Sequence, residues 1–286
     1  MSTERTPTDP APLLDIQNLR ISFKTPFGMT QAVRGVNLRM GRERIAVVGE
    51  SGSGKSVSFR ALLGLLPGST TVEADRLELQ GENLLAMGPR QMRKTRGGRI
   101  GMVVQDPKQG LDPAKTIGAQ ITEMLRLHGK CKTREAKARV QDLLADVHIR
   151  DPRRVAESYP HQLSGGMAQR AMLAMILSAE PDLLIADEAT SALDAVVRHR
   201  ILDLIDEQVR LRGMGLVLIS HDLDLVGGYA DRILVMYAGR VMEELEGSRL
   251  SQAQHPYTQG LLACRPSIDH PGGELPVLQR DPKWLQ

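Results

Sequence analysis

Four short apolar runs, each followed at once by polar residues, dominate the pattern of hydrophobic and polar positions along the chain. Apolar runs of this length, rich in β-branched residues, predict strands that are buried in a largely parallel sheet. Because ligands bind beyond the carboxyl ends of such strands, the polar residues after each run are the candidate functional residues. The runs cover residues 44–48, 100–104, 181–186 and 216–219.

A regular alternation of apolar and polar residues precedes the first run and predicts a smaller antiparallel sheet. Residues 14–23 and 32–38 alternate and are separated by a turn at 26–28, while residues 71–83 alternate again and predict an edge hairpin. Phe23, in the first of these strands, has two interpretations that the pattern leaves open. Its ring is a flat apolar face for stacking on an adenine ring, or it is an ordinary core residue of the strand.

A helical spacing of apolar residues predicts an inserted helical lobe at about residues 114–160, divided by a polar link at 129–133. The first residues, 1–12, are polar and proline-rich, and we expect a disordered tail there. The remaining pattern predicts one main domain over residues 13–250 and a separate C-terminal tail over residues 251–286.

The first apolar run leads directly into a glycine-rich loop that fits G-x-x-x-x-G-K-S at every fixed position, and a helix-compatible run at 57–66 follows it. Strand, glycine-rich loop and helix together predict a phosphate site, because backbone N–H groups and the helix N-terminus attract anions. Lys55 is then placed to reach the β- and γ-phosphates of a nucleotide, and Ser56 to bind Mg²⁺. The loop consists of Gly49, Glu50, Ser51, Gly52, Ser53, Gly54, Lys55 and Ser56.

Polar side chains follow the other three runs as well. Asp187 and Glu188 end the third run, and because unpaired buried charge is costly, two acids there indicate function. Asp187 is a candidate Mg²⁺ ligand, directly or through water, and Glu188 a candidate general base that positions an attacking water. Gln105 follows the second run, and His221 follows the fourth, where it can contact a γ-phosphate.

A second anion-binding helix end is predicted at Ser164. Serine is a favoured N-cap, and Gly165 and Gly166 leave the N–H groups behind it uncovered by side chains. A helix-forming stretch at 171–179 follows. Viewed alone, this stretch also fits an ordinary capped helix.

Composition narrows the class of protein. The chain has 286 residues, of which 41% are hydrophobic and 25% charged, as is typical of a globular protein. A net charge of +3 and an aromatic content of 3% do not favour nucleic-acid binding. No apolar run reaches the ~18 residues of a membrane-spanning helix, and residues 1–12 lack the apolar core of a signal peptide. Cys131 and Cys264 fit neither a metal site nor a disulfide framework, which favours a reducing cytosol.

In this order the motifs resemble the ATP-binding subunits of ABC transporters over about residues 14–262. The glycine-rich loop alone fits many enzymes, but its combination with LSGGMAQR at 163–170 just before LLIADE at 183–188 is specific. The resemblance implies an α/β fold: a P-loop NTPase with a mostly parallel core sheet, an N-terminal antiparallel β subdomain and an inserted α-helical subdomain. It also implies Mg²⁺-dependent ATP hydrolysis that is coupled to transport.

The resemblance further implies a role for each motif. Residues 49–56 would bind ATP, with Lys55 on its phosphates. Ser164 and Gly166 would act in trans, on the nucleotide that a second subunit holds. The other implied site residues are Gln105 near Mg²⁺ and facing the transporter, Asp187 on Mg²⁺, Glu188 on the attacking water, His221 on the γ-phosphate, and Asp194 within SALD at 191–194.

Three segments are similar to the peptide and nickel importers within that family, namely QDPKQGLDP at 105–113, Met167 after LSGG, and HPYTQGLL at 255–262. Ala189 departs from the usual proline, and Phe23 from the commoner tyrosine. The implied partners are transmembrane permease subunits, a second ATPase subunit that is a copy or a paralogue, and indirectly a solute-binding protein, with no nucleic acid. Such a chain would lie peripherally on the cytoplasmic face of the membrane, and its cargo stays open between a peptide, nickel, another chelated metal and an opine-like solute.

Two other functions are alternatives. Soluble ABC ATPases of translation usually carry two cassettes in one chain, and those of DNA repair carry a long coiled-coil insertion, whereas the insertion here is only about 45 residues. An exporter subunit is the second alternative, and only the likeness of the HPYTQGLL segment to importers argues against it.

Overall fold

The computed structural model describes residues 11–132, 135–191, 194–264 and 281–285. Most of the predicted N-terminal tail, part of the SALD segment and residues 265–280 lie outside these residues. No helix in the described ranges is long and apolar enough to cross a membrane. In chain order the elements are β1 Leu14–Thr25, β2 Gly28–Met40, β3 Arg44–Val48, α1 Lys55–Leu62, β4 Thr70–Glu73, β5 Arg76–Leu79, β6 Glu82–Asn83, α2 Pro89–Gly98, β7 Ile100–Val103, α3 Pro107–Gly110, α4 Ile117–Leu127, α5 Ala136–Asp146, α6 Pro152–Glu157, α7 Gly165–Leu177, β8 Leu183–Asp187, α8 Ala195–Arg212, β9 Gly215–Ser220, α9 Leu223–Gly227, β10 Arg232–Tyr237, β11 Arg240–Glu246 and α10 Pro256–Ala263.

The central sheet has the order β11-β10-β3-β9-β8-β7 among the described residues. Its strands pair in parallel except for the antiparallel hairpin of β10 and β11. Strands β3, β9 and β8 lie in the middle of the sheet, so the residues that follow them meet at one edge. The four apolar runs of the sequence correspond to β3, β7, β8 and β9, as predicted.

A second, antiparallel sheet is built around β1, which pairs with β2, β4 and β5. An edge hairpin is present within the predicted segment 71–83, but it consists only of β5 and the short β6, while β4 pairs separately with β1. The alternation of apolar and polar residues predicts the strands correctly. It does not indicate that β4 and β5 both pair with the same edge of the long β1, because the local sequence carries no signal for the pairing partner.

Successive residues of β3 and β8 enter two different hydrophobic cores, because side chains alternate across a strand. Ile45 and Val47 pack with the antiparallel sheet and α1, while Ala46 and Val48 pack with the helices on the opposite face. Helices α4, α5 and α6 occupy the region where an inserted helical lobe was predicted, and α7 leads from them back to β8. The fold is therefore the predicted α/β arrangement.

Two helix boundaries differ from the predictions. The helix after the glycine-rich loop begins at Lys55 and ends at Leu62, not at residue 66, since Gly64 takes a left-handed conformation (φ +56°) soon after it. Helix α7 begins at Gly165, directly after the predicted N-cap Ser164, and it ends at Leu177 rather than at residue 179.

Candidate functional site

The glycine-rich loop connects β3 to α1 and is held against two neighbouring segments. A side chain at Gly54 (φ +96°) would place its Cβ 2.7 Å from the carbonyl oxygen of Ala32, and one at Gly49 would overlap the carbonyl of Met236. The N–H of Gly239 donates to the carbonyl of Ser53 at 3.0 Å. Glycine is therefore required at both positions for close approach, and the loop is braced from behind.

Lys55, the first residue of α1, is buried and folds back onto its own loop. Its Nζ donates to the carbonyl oxygens of Gly49 at 2.7 Å and Glu50 at 2.8 Å. Burial lowers the pKa of Lys55, and the nearby carboxylates of Glu188 and Asp187 oppose this shift. An ammonium group held in this way lies where it can bind an anion inside the loop.

Asp187, at the end of β8, is 3% exposed and has a partner on each carboxylate oxygen. Ser56 donates its hydroxyl to Oδ1 at 2.6 Å. Arg60 donates to Oδ2 from Nη2 at 2.9 Å and from Nε at 3.2 Å. A hydroxyl and a carboxylate in contact beside a phosphate loop are the protein ligands that Mg²⁺ uses when phosphate oxygens and water complete its coordination.

No group of three or more His, Cys, Asp and Glu side chains suited to a metal ion occurs in the ranges that the structure describes. The oxygens of Ser56 and Asp187 are too few to enclose a divalent cation by themselves. They fit Mg²⁺ only as part of a metal–nucleotide complex, because Mg²⁺ keeps several waters and phosphate oxygens around it.

Glu188 directly follows Asp187 in the sequence, and His221 lies beside it. Nδ1 of His221 is 3.5 Å from Oε1 of Glu188, and both side chains reach solvent. The backbone N–H of Glu188 donates to the carbonyl of Ile219 at 3.1 Å, which ties the end of β8 to β9. Glu188 has a φ of +48°, an uncommon conformation for a residue with a side chain, and such strain is concentrated at functional sites.

The remaining predicted residues lie on other elements of the fold. Gln105 is exposed two residues beyond the end of β7, at the same edge of the sheet. Phe23 is half-buried and packs against the core that the antiparallel sheet shares with α1. Core packing is therefore observed for Phe23, and the part of its ring that stays exposed leaves the adenine-stacking interpretation a prediction.

Ser164 caps α7, since its hydroxyl accepts a hydrogen bond from the N–H of Met167 at 3.4 Å. Ser164 and Gly165 are exposed and Gly166 is half-buried. Ser164 and Gly166 border a cavity of about 330 Å³ that also includes Arg170 and Arg200 in its lining, and among the described residues its lining contains none from the loop at 49–56. The predicted second anion-binding helix end thus borders a cavity that no described residue of the loop lines.

Asp194 caps α8, and its carboxylate accepts a hydrogen bond from the N–H of Val197 at 3.0 Å. This contact gives Asp194 a structural role in the free chain, beside the cofactor role that was predicted for it.

Gln169 of α7 donates to the carbonyl of Ala189 at 2.8 Å, which links the helix behind Ser164 to the loop that carries Glu188.

Sequence reasoning missed two residues of the site. Arg60 follows Ser56 by one helical turn, so the spacing places both on the same face of α1, and this signal was available. Tyr257 belongs to α10, more than two hundred residues from the loop, yet its hydroxyl lies 3.3 Å from the backbone nitrogen of Glu50. No local pattern indicates that second contact.

Comparison with known proteins agrees with this geometry. The family model described as ABC transporter matches residues 33–191. The dipeptide transport ATP-binding protein DppD of Bacillus subtilis is 44% identical over 96% of this chain and 82% of its own length. The probable D,D-dipeptide transport ATP-binding protein DdpD of Escherichia coli is 42% identical over 93% of this chain and 82% of its own length.

Two solved structures are similar in fold. CbiO1 from Clostridium perfringens, part of the ABC transporter complex cbiONQ, superposes with a TM-score of 0.71 at 26% identity and covers 88% of this chain and 95% of its own. The ATP-binding cassette MJ0796, in a dimeric post-hydrolysis state bound to ADP and Pi, superposes with a TM-score of 0.69 at 26% identity over 82% of this chain and 98% of its own.

Proposed function

Since this chain belongs to the ABC transporter family and is one of its ATP-binding, ATP-hydrolysing subunits, we propose that it powers the import of peptides through a membrane permease. The observation that carries the proposal is the contact of Ser56 with Asp187 beside the buried Lys55, in a chain whose relatives are named for dipeptide transport. Nickel, another chelated metal and an opine-like solute are the alternative cargoes.

The residues around the loop would have different roles in hydrolysis of the β–γ bond. Lys55 would release the carbonyls of Gly49 and Glu50 and donate to the β- and γ-phosphates instead. Ser56 and Asp187 would hold Mg²⁺, which supplies charge neutralisation on those phosphates. The loop N–H groups and the N-terminus of α1 would bind the rest of the phosphate charge.

Glu188 and His221 are placed to act on the water that attacks the γ-phosphate. The carboxylate of Glu188 would accept a hydrogen bond from that water and orient it, and His221 would donate to the γ-phosphate. Gln105 would sense the permease from the same edge of the sheet, and Phe23 would stack on the adenine ring.

Ser164, Gly165 and Gly166 would complete the site of a second subunit, either a copy of this chain or a paralogue. The support for sharing in trans is that the cavity at the second helix end has no described residue of the loop at 49–56 in its lining. One nucleotide between two such chains would contact both helix ends. Asp194, which caps the helix beside this surface, would lie at the same junction.

The permease contact is proposed for the helical lobe, with the chain peripheral on the cytoplasmic face of the membrane. A groove of about 710 Å³ opens between α4, α5 and α6, and its lining includes Thr122, Arg126 and Arg153. A binding protein for the solute would act only indirectly, through the permease. A Thr122→Arg variant, which places a long charged side chain in this groove, should lose co-purification with the permease while keeping its ATP affinity.

The transport proposal is tested in the native host with the gene for this chain deleted. Growth on short peptides as the sole nitrogen source should be lost, restored by the wild-type chain and not restored by Glu188→Gln, which serves as the matched inactive control. Normal growth of the deletion strain on peptides, together with loss of nickel uptake, would assign the cargo to nickel.

Sharing of the site is tested with Ser164→Arg, which should bind ATP as a monomer yet fail to dimerise or hydrolyse. Mixed with Glu188→Gln protein, it should regain partial ATPase activity, because each mixed dimer of two copies keeps one site whose Glu188 and opposing Ser164 are both intact. Hydrolysis by Ser164→Arg alone at the wild-type rate would contradict sharing, and failure of recovery in the mixture would indicate a paralogous partner.

A further inference from the structure

Tyr257 connects the C-terminal helix to the glycine-rich loop. Its side chain is fully buried, and its hydroxyl oxygen accepts a hydrogen bond from the backbone N–H of Glu50 at 3.3 Å. Glu50 is the second residue of the loop, and its carbonyl oxygen is a partner of Lys55 at 2.8 Å. Tyr257, in the C-terminal tail, thus holds the backbone of Glu50. The carbonyl of Glu50 in turn contacts the buried Lys55.

The position of Tyr257 is fixed by the start of α10. Nδ1 of His255 accepts a hydrogen bond from the N–H of Tyr257 at 3.1 Å, and so caps the helix. Just before it, the N–H of Gln254 donates to Oε1 of Glu243 on β11 at 2.7 Å. The side chain of Gln259 donates to the carbonyl of Ala253 at 2.9 Å. The bond to Glu243 anchors the start of α10 to the β10–β11 hairpin, and the other two bonds fix the first turn of the helix.

Aromatic rings enclose Tyr257 on its other sides. Its ring centroid lies 4.7 Å from that of Tyr237, at the end of β10, and 5.7 Å from that of Trp284 near the end of the described chain. Tyr237 and Trp284 also contact each other, with their centroids 5.9 Å apart. Close packing leaves the tyrosine ring few rotamers, so the hydroxyl is held in place before any ligand binds.

The same hairpin braces the loop a second time. Gly239, two residues beyond Tyr237, donates its N–H to the carbonyl of Ser53, and the carbonyl of Met236 lies against Gly49. The hairpin and α10 therefore support the loop at Gly49, Glu50 and Ser53. Preorganised N–H groups bind an anion more tightly than groups that must first be ordered.

We propose that the HPYTQGLL segment is a positioning element of the phosphate loop, and that Tyr257 acts on nucleotide affinity through the backbone of Glu50. This inference rests on the proposed role of residues 49–56 as the phosphate site. By linkage, occupation of the loop by a nucleotide stabilises the docking of α10 to the same extent that α10 strengthens nucleotide binding. The C-terminal segment is thereby coupled to nucleotide binding at the loop.

The first test compares Tyr257→Phe with Tyr237→Phe as the matched control. Each variant removes one hydroxyl from the same aromatic cluster, but only the first removes the bond to Glu50. Tyr257→Phe should raise the dissociation constant for ADP by roughly two- to tenfold, the effect of one hydrogen bond, while its Tm stays within a few degrees of wild type. Tyr237→Phe should bind ADP like the wild-type chain. Unchanged ADP affinity in Tyr257→Phe, or equal loss in both variants, would overturn the proposal.

Hydrogen exchange provides a second measurement. Amide exchange rates in the loop should not change if Tyr257 has only a structural role. Amides of residues 49–56 should exchange faster in Tyr257→Phe than in Tyr237→Phe, and addition of ADP to the wild-type chain should slow exchange in residues 256–263. Absence of both effects refutes the coupling. A Lys55→Ala chain with unchanged ADP affinity would instead show that the loop is not the phosphate site, which separates failure of this inference from failure of the proposed function.

Discussion

Replacing Arg60 by methionine isolates the ion pair on the buried carboxylate of the site. Arg60 is 48% exposed along its side chain, whereas Asp187 is 3% exposed, and two guanidinium nitrogens donate to Oδ2. Methionine keeps an apolar stem but removes the guanidinium group and its charge. Asp187 then keeps the hydroxyl of Ser56 on Oδ1 as its side-chain partner in the described structure.

The expected loss of stability follows from the burial of the two partners. Breaking a fully buried pair costs about 3–5 kcal/mol, while exposed pairs contribute about 0–1 kcal/mol. Because only the carboxylate is buried here, we expect Arg60→Met to lower the free energy of unfolding by roughly 1–2 kcal/mol in the nucleotide-free chain. For a domain of this size that corresponds to a drop in Tm of a few degrees.

Magnesium and ADP should reduce this loss. A divalent cation at Ser56 and Asp187 supplies the positive charge that the variant lacks, so the difference in Tm from wild type should fall by at least half when both are saturating. The assay is thermal unfolding followed by circular dichroism, with ADP and Mg²⁺ each added alone and together.

Arg76→Met is the matched control for this experiment. Arg76 is 46% exposed and pairs at 2.9 Å with the 7% exposed Asp15, in the antiparallel sheet. Its difference in Tm from wild type should be the same with and without Mg²⁺ and ADP. A deficit in Arg60→Met that is equally insensitive to both would refute the assignment of Asp187 to the metal site.

Three further outcomes are expected. Lys55→Ala should weaken ADP binding by roughly 10- to 100-fold in a titration, the effect of one charged hydrogen-bonding group, without a large change in Tm; unchanged affinity would remove Lys55 from the phosphates. Glu188→Gln should keep its affinity for ATP but lose about 10²–10⁴ in steady-state phosphate release, the contribution of general-base catalysis, and release near the wild-type rate would contradict that role. The bond to Arg44 lowers the pKa of Asp231 despite partial burial, so the pair contributes stability above the ordinary aspartate pKa and loses it as pH falls through the lowered value. The difference in Tm between wild type and Asp231→Asn should therefore be larger at pH 7 than at about pH 3, and a constant difference would count against the ion pair.

Local features of the fold could be predicted from the sequence because the signals for them span only a few residues. The apolar run before Gly49 predicts β3, and the order of glycine, lysine and serine predicts the loop and the start of α1. Ser164 was predicted to cap a helix, and its hydroxyl accepts the expected hydrogen bond from Met167. Each of these outcomes depends on backbone geometry within about one helical turn.

Contacts between distant residues were decided only by the tertiary structure. Arg60 and Asp187 are 127 positions apart, and Glu50 and Tyr257 are 207 apart. The first pair forms because the parallel sheet brings the ends of β3 and β8 to one edge, and the second because α10 packs beside the loop and the β10–β11 hairpin. Hydrophobic periodicity states which face of an element is buried but not which element covers it, so the partner of a buried polar group is settled by packing over the whole chain.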